Sequence, residues 1–213
     1  MRSSAWVVSP GFILILAVVL AVAPGCGSGG ASSTVGPAGA KAYTASSLPP
    51  VSYGLPPLDG ERLEVPFPEA WAPTSQKKGF VVVLQLKGRS GFPQMTMTVE
   101  QVSAPDVTTG SVAAFAAEVQ TELDAQVAAN QVKQLEKAKP LILGNNAFAR
   151  YVLAGRRPGR EVATIERQVL RTVHGGRKYV LELQVTDDLM KYRDDAYAVA
   201  AGIKFLNPGA KNG

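Results

Sequence analysis

Thiol and imidazole are the side chains most suited to nucleophile-base pairs and zinc sites, and this chain of 213 residues has one of each: Cys26 and His174. A thiolate is a strong nucleophile, but covalent catalysis needs a base within hydrogen-bond reach of it. Cys26 stands between Gly25 and Gly27 at the end of a long apolar run, where small neighbours leave the sulfur open to modifying and cutting enzymes. That setting suits attachment of a group to the thiol rather than turnover. His174 precedes Gly175-Gly176, a two-residue hairpin signal, and is expected at an exposed turn. One cysteine and one histidine cannot make a zinc ligand set. Paired acids occur at Glu118/Glu122, Asp187-Asp188 and Asp194-Asp195. Their spacing suits a solvated helix face, a helix N-terminus and a second polar helix face, and nothing sets two of them across a cleft as glycoside hydrolysis requires. Gly25-Cys26-Gly27-Ser28-Gly29-Gly30 has the spacing of a dinucleotide-binding loop, yet the residues after it cannot open the helix that such a loop needs. The expectation is no catalytic residue, no metal and no cofactor.

The elements around Cys26 explain its position. Arg2 gives a minimal positive start, Phe12 to Ala23 is a twelve-residue apolar run, and Ala23-Pro24-Gly25-Cys26 closes it. Residues 1–26 resemble a bacterial lipoprotein signal with its lipobox, although that pattern usually has leucine where Ala23 stands. The resemblance implies cleavage between Gly25 and Cys26 and lipid, such as palmitate, on Cys26. It implies export and anchoring to the bacterial cell envelope, at the outer face of the inner membrane or at the outer membrane. The competing reading is an uncleaved membrane helix from Ala5 to Ala23, which Pro10-Gly11 interrupts. Either way the remainder is held at a membrane.

Of the 213 residues, 188 remain after the first 25, enough for one domain with one core. Residues 26–57 are rich in Gly, Ser, Ala and Pro with one charge, Lys41, and read as the lipidated cysteine and a flexible linker spanning roughly 30 Å. Residues 58–207 are expected to form the domain and 208–213 a tail. A lone cysteine permits no internal disulfide, so the apolar core alone must hold the domain. The net charge of +5 is uneven, with eight basic residues against two acidic ones between Arg150 and Lys178. Arg156, Arg157, Arg160, Arg177 and Lys178 make a candidate patch for a partner or an anion, or are solvated strand ends. An exported, tethered chain is not expected to meet nucleic acid.

Within the domain, residues 61–65, 80–86 and 94–102 read as strands, with Met95, Met97 and Val99 on one face and Trp71 as a core plug. Val112, Phe115, Val119, Leu123 and Val127 predict a helix over 111–132, with Asp106, Thr108, Thr109 and Ser111 as cap candidates. Strands are expected at 141–143, 147–154, 161–173 and 177–186, and Leu189, Tyr192, Ala196, Val199 and Ile203 mark a closing helix. The fold class is α+β, a largely antiparallel sheet of six or seven strands with helices packed on its faces.

This order, with Pro66-Phe67-Pro68 leading to Trp71, the Gly144-Asn145-Asn146 turn and Ile203-Lys204-Phe205 at the end, resembles the Mog1/PsbP-like fold found in LpqN-type lipoproteins and domains of unknown function. The resemblance implies a non-enzymatic binding or assembly module without a cofactor. Three functions follow in order: a lipid-anchored module for an envelope protein partner, a binder of a small apolar or anionic ligand in a sheet-helix crevice, and a wall or lipid hydrolase, for which the usual residue sets are missing.

Overall fold

The computed structural model describes residues 40–75, 78–129, 131–156 and 164–207. The expected signal, Gly25, Cys26, Arg157, Arg160 and the tail from Pro208 lie outside the described residues. In chain order the strands are β1 (Lys41–Tyr43), β2 (Val51–Ser52), β3 (Leu63–Glu64), β4 (Phe67–Pro68), β5 (Trp71–Pro73), β6 (Val82–Leu86) and β7 (Gln94–Gln101). Helix α1 (Val112–Ala128) follows, then β8 (Lys133–Leu143), β9 (Asn146–Arg156), β10 (Thr164–His174), β11 (Arg177–Val185), α2 (Arg193–Gly202) and β12 (Lys204–Phe205).

Eight strands form one sheet in the order β1-β8-β9-β10-β11-β7-β6-β5. All neighbours are antiparallel except β1, which lies parallel to β8 with Lys41 opposite Leu141. Two small pairs, β12 with β3 and β2 with β4, complete an α+β fold. The long hairpin forms where the sequence predicts it: Gly175 and Gly176 hold φ of 57° and 68°, the left-handed pair that a two-residue turn between twisted strands requires.

The sheet is buried on both faces because the apolar residues of β9 alternate between two cores. Phe148 and Val152 join Leu170, Leu181, Met95 and Met97 beneath α2, whose Ala196, Val199 and Ala200 pack down on them. Ala149, Tyr151 and Leu153 turn the other way, with Val169, to meet Ala116, Val119 and Leu123 of α1. Trp71 is fully buried as expected, and its indole N–H donates to the Asp195 carboxylate at 2.9 Å. Asp195, on a helix face expected to be solvated, thus ties the short edge strand to α2.

Three differences from the sequence expectations have physical causes. The sheet has eight strands rather than six or seven: β1, inside the stretch read as linker, and β5, in the stretch read as a proline-bounded loop, join it. β3, within the strand read at 61–65, pairs with β12 instead, and β2 also lies in the linker stretch, in its own small sheet. β1 and β2 are too short to show an alternation. Next, β8 begins at Lys133, not Leu141. Its first half is an edge with Lys133, Lys137 and Lys139 exposed, so it has no apolar face to read. Two register irregularities break it further, and Gln120 of α1 steadies them by accepting the Ala138 N–H at 2.6 Å. Finally, α1 buries Ala116 fully in the core, leaves Phe115 only partly buried against it, and leaves Val127 38% exposed. The small alanine lets the helix approach the sheet, while Phe115 lies under the Arg171 guanidinium, 5.8 Å from its ring centre.

Asp195→Ala strands a buried indole N–H and is expected to lower unfolding stability by about 1–3 kcal/mol. Urea denaturation reads the effect, and an unchanged midpoint would remove this contact from the account.

Candidate functional site

The loop between β7 and α1 crosses the tip of the β10–β11 hairpin because two hydrogen bonds hold it there. Val107 N–H donates to the Val173 carbonyl at 2.9 Å, and Gly175 N–H donates to Asp106 Oδ1 at 2.7 Å. The other Asp106 oxygen lies 3.3 Å from His174 Nδ1. His174 is therefore not the free turn residue expected: its ring stacks on Phe205, 4.6 Å between centres and 26° between planes, and Phe205 in turn touches Tyr179. On the far side, Asn146 donates to the carbonyls of Ala200 and Ile203, both at 2.9 Å, and so caps the end of α2. Between these parts lies an open cleft of about 520 Å³ with Ile203 and Phe205 as apolar floor and Thr109, Asn145 and buried Thr172 among its walls.

Its lining sets hydroxyl, amide and imidazole groups around an apolar floor. The His174–Asp106 pair has the form of an oriented base. Among the described residues, however, no hydroxyl is hydrogen-bonded to the imidazole, and Thr108 and Ser111 bond to each other instead at 3.2 Å. Among the same residues, no three His, Asp or Glu side chains converge as metal ligands. Lys204 borders the cleft but is paired with Glu64 at 2.9 Å and lies over the Tyr53 ring.

The candidate basic patch is divided by the hairpin. Arg156 pairs with Thr164 at the start of β10, whereas Arg177 sits opposite His174 at its end, ten residues and about 33 Å away. Arg177 and Lys178 are adjacent on one strand and so face opposite sides. Arg177 binds Asp59 at 2.7 Å, beside Tyr179, whose pKa is raised by burial and by its own bond to the Asp59 carboxylate. Lys178 is paired with Glu100. Of the candidate acids, Glu118 is exposed, Glu122 binds Arg171 through both oxygens, Asp188 caps the short turn at Leu189–Lys191, and Asp187 lies 3.7 Å from Lys191. Asp106 was legible only as a helix cap, since its true partners lie 69 residues along the chain.

A second polar group lies inside the α2-side core. Arg150 binds Glu136 through two bonds and reaches Gln168 Oε1 at 3.3 Å, and Gln168 is fully buried with its amide nitrogen unpaired. The hydrogen bond from Arg150 holds the Glu136 carboxyl below its ordinary range despite partial burial. Burial pulls Arg150 the other way, but its bonds to Glu136 and Tyr197 prevail and raise it. With its folded pKa lowered, Glu136 contributes stability that is full above its unfolded value near 4.5 and is lost as pH falls. Glu136→Gln is thus expected to lower the thermal midpoint at neutral pH, with the gap from the unaltered protein closing in acid. A gap independent of pH would contradict this.

Among the described residues no helix is long and apolar enough to cross a membrane. No family model and no curated protein matches the chain. Solved structures do resemble it. One from Bacteroides thetaiotaomicron VPI-5482 is 12% identical with a TM-score of 0.48, over 70% of this chain and 47% of that one. This chain therefore spans about half the length of that protein. The cyanobacterial PsbP protein CyanoP from Synechocystis sp. PCC 6803 is 15% identical with a TM-score of 0.46, over 83% of this chain and 98% of that one.

Proposed function

We propose that the chain is an exported lipoprotein, cut before Cys26 and held to the cell envelope by lipid on that residue, whose Mog1/PsbP-like domain binds a protein partner without catalysing a reaction. The lipobox-like run supports the anchor, and the order of hairpin, helix, long hairpin and closing helix supports the fold family. The observation that carries the binding role is the open cleft at the hairpin tip. Its floor is apolar, its walls come from three separate chain segments, and its Asp106 and Asn146 are already committed to holding those segments together. An open trough of preformed shape suits an inserted side chain or loop of another protein.

A small-ligand role is the second reading, favoured by a volume in the range of roughly 300–1,000 Å³ common to ligand pockets. An anionic ligand fits less well, because Arg177 and Lys178 do not line the cleft and Lys204 is neutralised there.

Thr109 and Asn145 are exposed on the cleft walls. The double variant Thr109→Arg/Asn145→Arg should fill the trough, abolish the protein's cross-linked envelope adducts, and move the melt by no more than about 0.5 kcal/mol of stability. Adducts that persist in this variant would remove the cleft from the binding role. Cys26→Ser should yield a fatty-acid-free precursor, and a lipid mass that survives the substitution would refute the anchor.

A further inference from the structure

The position of β1 changes what the tether can do. Fourteen residues, not thirty-one, separate Cys26 from Lys41, the first residue of β1. A chain of fourteen residues reaches at most about 50 Å even when fully extended. Because β1 runs parallel to β8 with Lys41 opposite Leu141, the entering end of β1 points back along β8 toward Lys133. Past β1, the β8 edge from Lys133 to Pro140 has β9 on one side and no strand of the described residues on the other.

That edge is basic. Lys41, Lys133, Lys137 and Lys139 are exposed, and among the described residues none forms an ion pair, Glu136 feeling the charge of Lys139 without bonding it. The register sets Lys139 opposite Arg150, Lys133 opposite Ala154 and Lys41 opposite Leu141, positions of one parity, so these three share a face along roughly 26 Å of strand. The acid within the stretch, Glu136, is consumed by Arg150, and Leu135 stands 42% exposed among the lysines. Arg171, Arg177, Lys178, Lys191 and Lys204, by contrast, each hold an acidic partner.

We infer that the β8 edge faces the anchoring membrane and that Lys41, Lys133, Lys137 and Lys139 contact anionic lipid head groups. The inference rests on the lipid-anchored reading. Lysines close to an anionic leaflet are drawn to it over about a Debye length, and an exposed leucine among them suits the head-group boundary. The same lysines repel the alternative occupant, a strand added to the sheet edge, since charge along an edge blocks such pairing. The geometry orients the domain with the β8 edge toward the bilayer.

The test uses mature protein extracted from its membrane and reconstituted into vesicles of phosphatidylcholine, alone or mixed with phosphatidylglycerol, with amine acetylation read by peptide mass spectrometry. Lys133, Lys137 and Lys139 should acetylate several-fold more slowly in the anionic vesicles than in the neutral ones, with the difference abolished by high salt. Lys87, near the opposite edge of the sheet, should label equally in both. In a Lys133→Glu/Lys137→Glu/Lys139→Glu variant, Lys41 should lose its protection. Equal labelling in the two vesicle types, or protection that is the same without anionic lipid, overturns the inference. The mass of the N-terminal peptide separates the two claims: lipid present with equal labelling refutes the orientation alone, whereas no lipid on Cys26 refutes the anchor and this inference with it.

Discussion

β9 must be covered on both faces at once, and the rest of the domain is arranged around that demand. Phe148 and Val152 point to one side, and Ala149, Tyr151 and Leu153 to the other. Leaving either set in water would forfeit about 1.5–3 kcal/mol for each large side chain, against a total stability of about 5–15 kcal/mol for a domain of this kind. Neither helix is therefore dispensable. α1 closes one face over β8 and β9, while α2, Trp71 and the small β12–β3 pair close the other. The Trp71–Asp195 bond matters because it ties the short β5 edge of the sheet to the helix that seals the larger core.

Covering both faces also decides where polar groups can sit. Inside, Arg150 is tolerated because its terminal guanidinium nitrogens bond Glu136 and Gln168, while the Gln168 amide nitrogen stays unpaired. The remaining polar groups are pushed to the rims. One rim, at the His174 hairpin tip, gathers hydroxyls, an amide and an imidazole around an apolar floor. A second rim, the β8 edge, carries exposed lysines that form no ion pair with the described residues. β1 pairs with the far end of that same β8 strand.

Much of this was legible wherever side chains carry the signal. The Gly175-Gly176 turn, the alternation of Tyr179, Leu181, Leu183 and Val185, the burial of Trp71 and the stripe of α2 all follow from residue type and spacing. β1 and β2 were not legible, since strands of three and two residues are too short to show an alternation. The first half of β8 was hidden for a different reason: its alternation is of charge and amide groups, which reads as a loop. The site was harder still. His174 and Asp106 are far apart in the chain, and each has a commonplace local role, turn and cap, that hides their meeting. Among the described members of the basic group, Arg156 and Arg177 lie toward opposite ends of a long hairpin, and Arg177 and Lys178 on opposite faces, so closeness in sequence overstated closeness in space.

The central claim is a tethered module that binds a protein through a preformed cleft, and native mass spectrometry of the mature protein released gently from its own membrane tests it most directly. The account predicts a stoichiometric protein companion that remains attached when the lipid is stripped away. A chain that carries only a small bound mass, or flies alone under conditions that keep other envelope complexes intact, would contradict it.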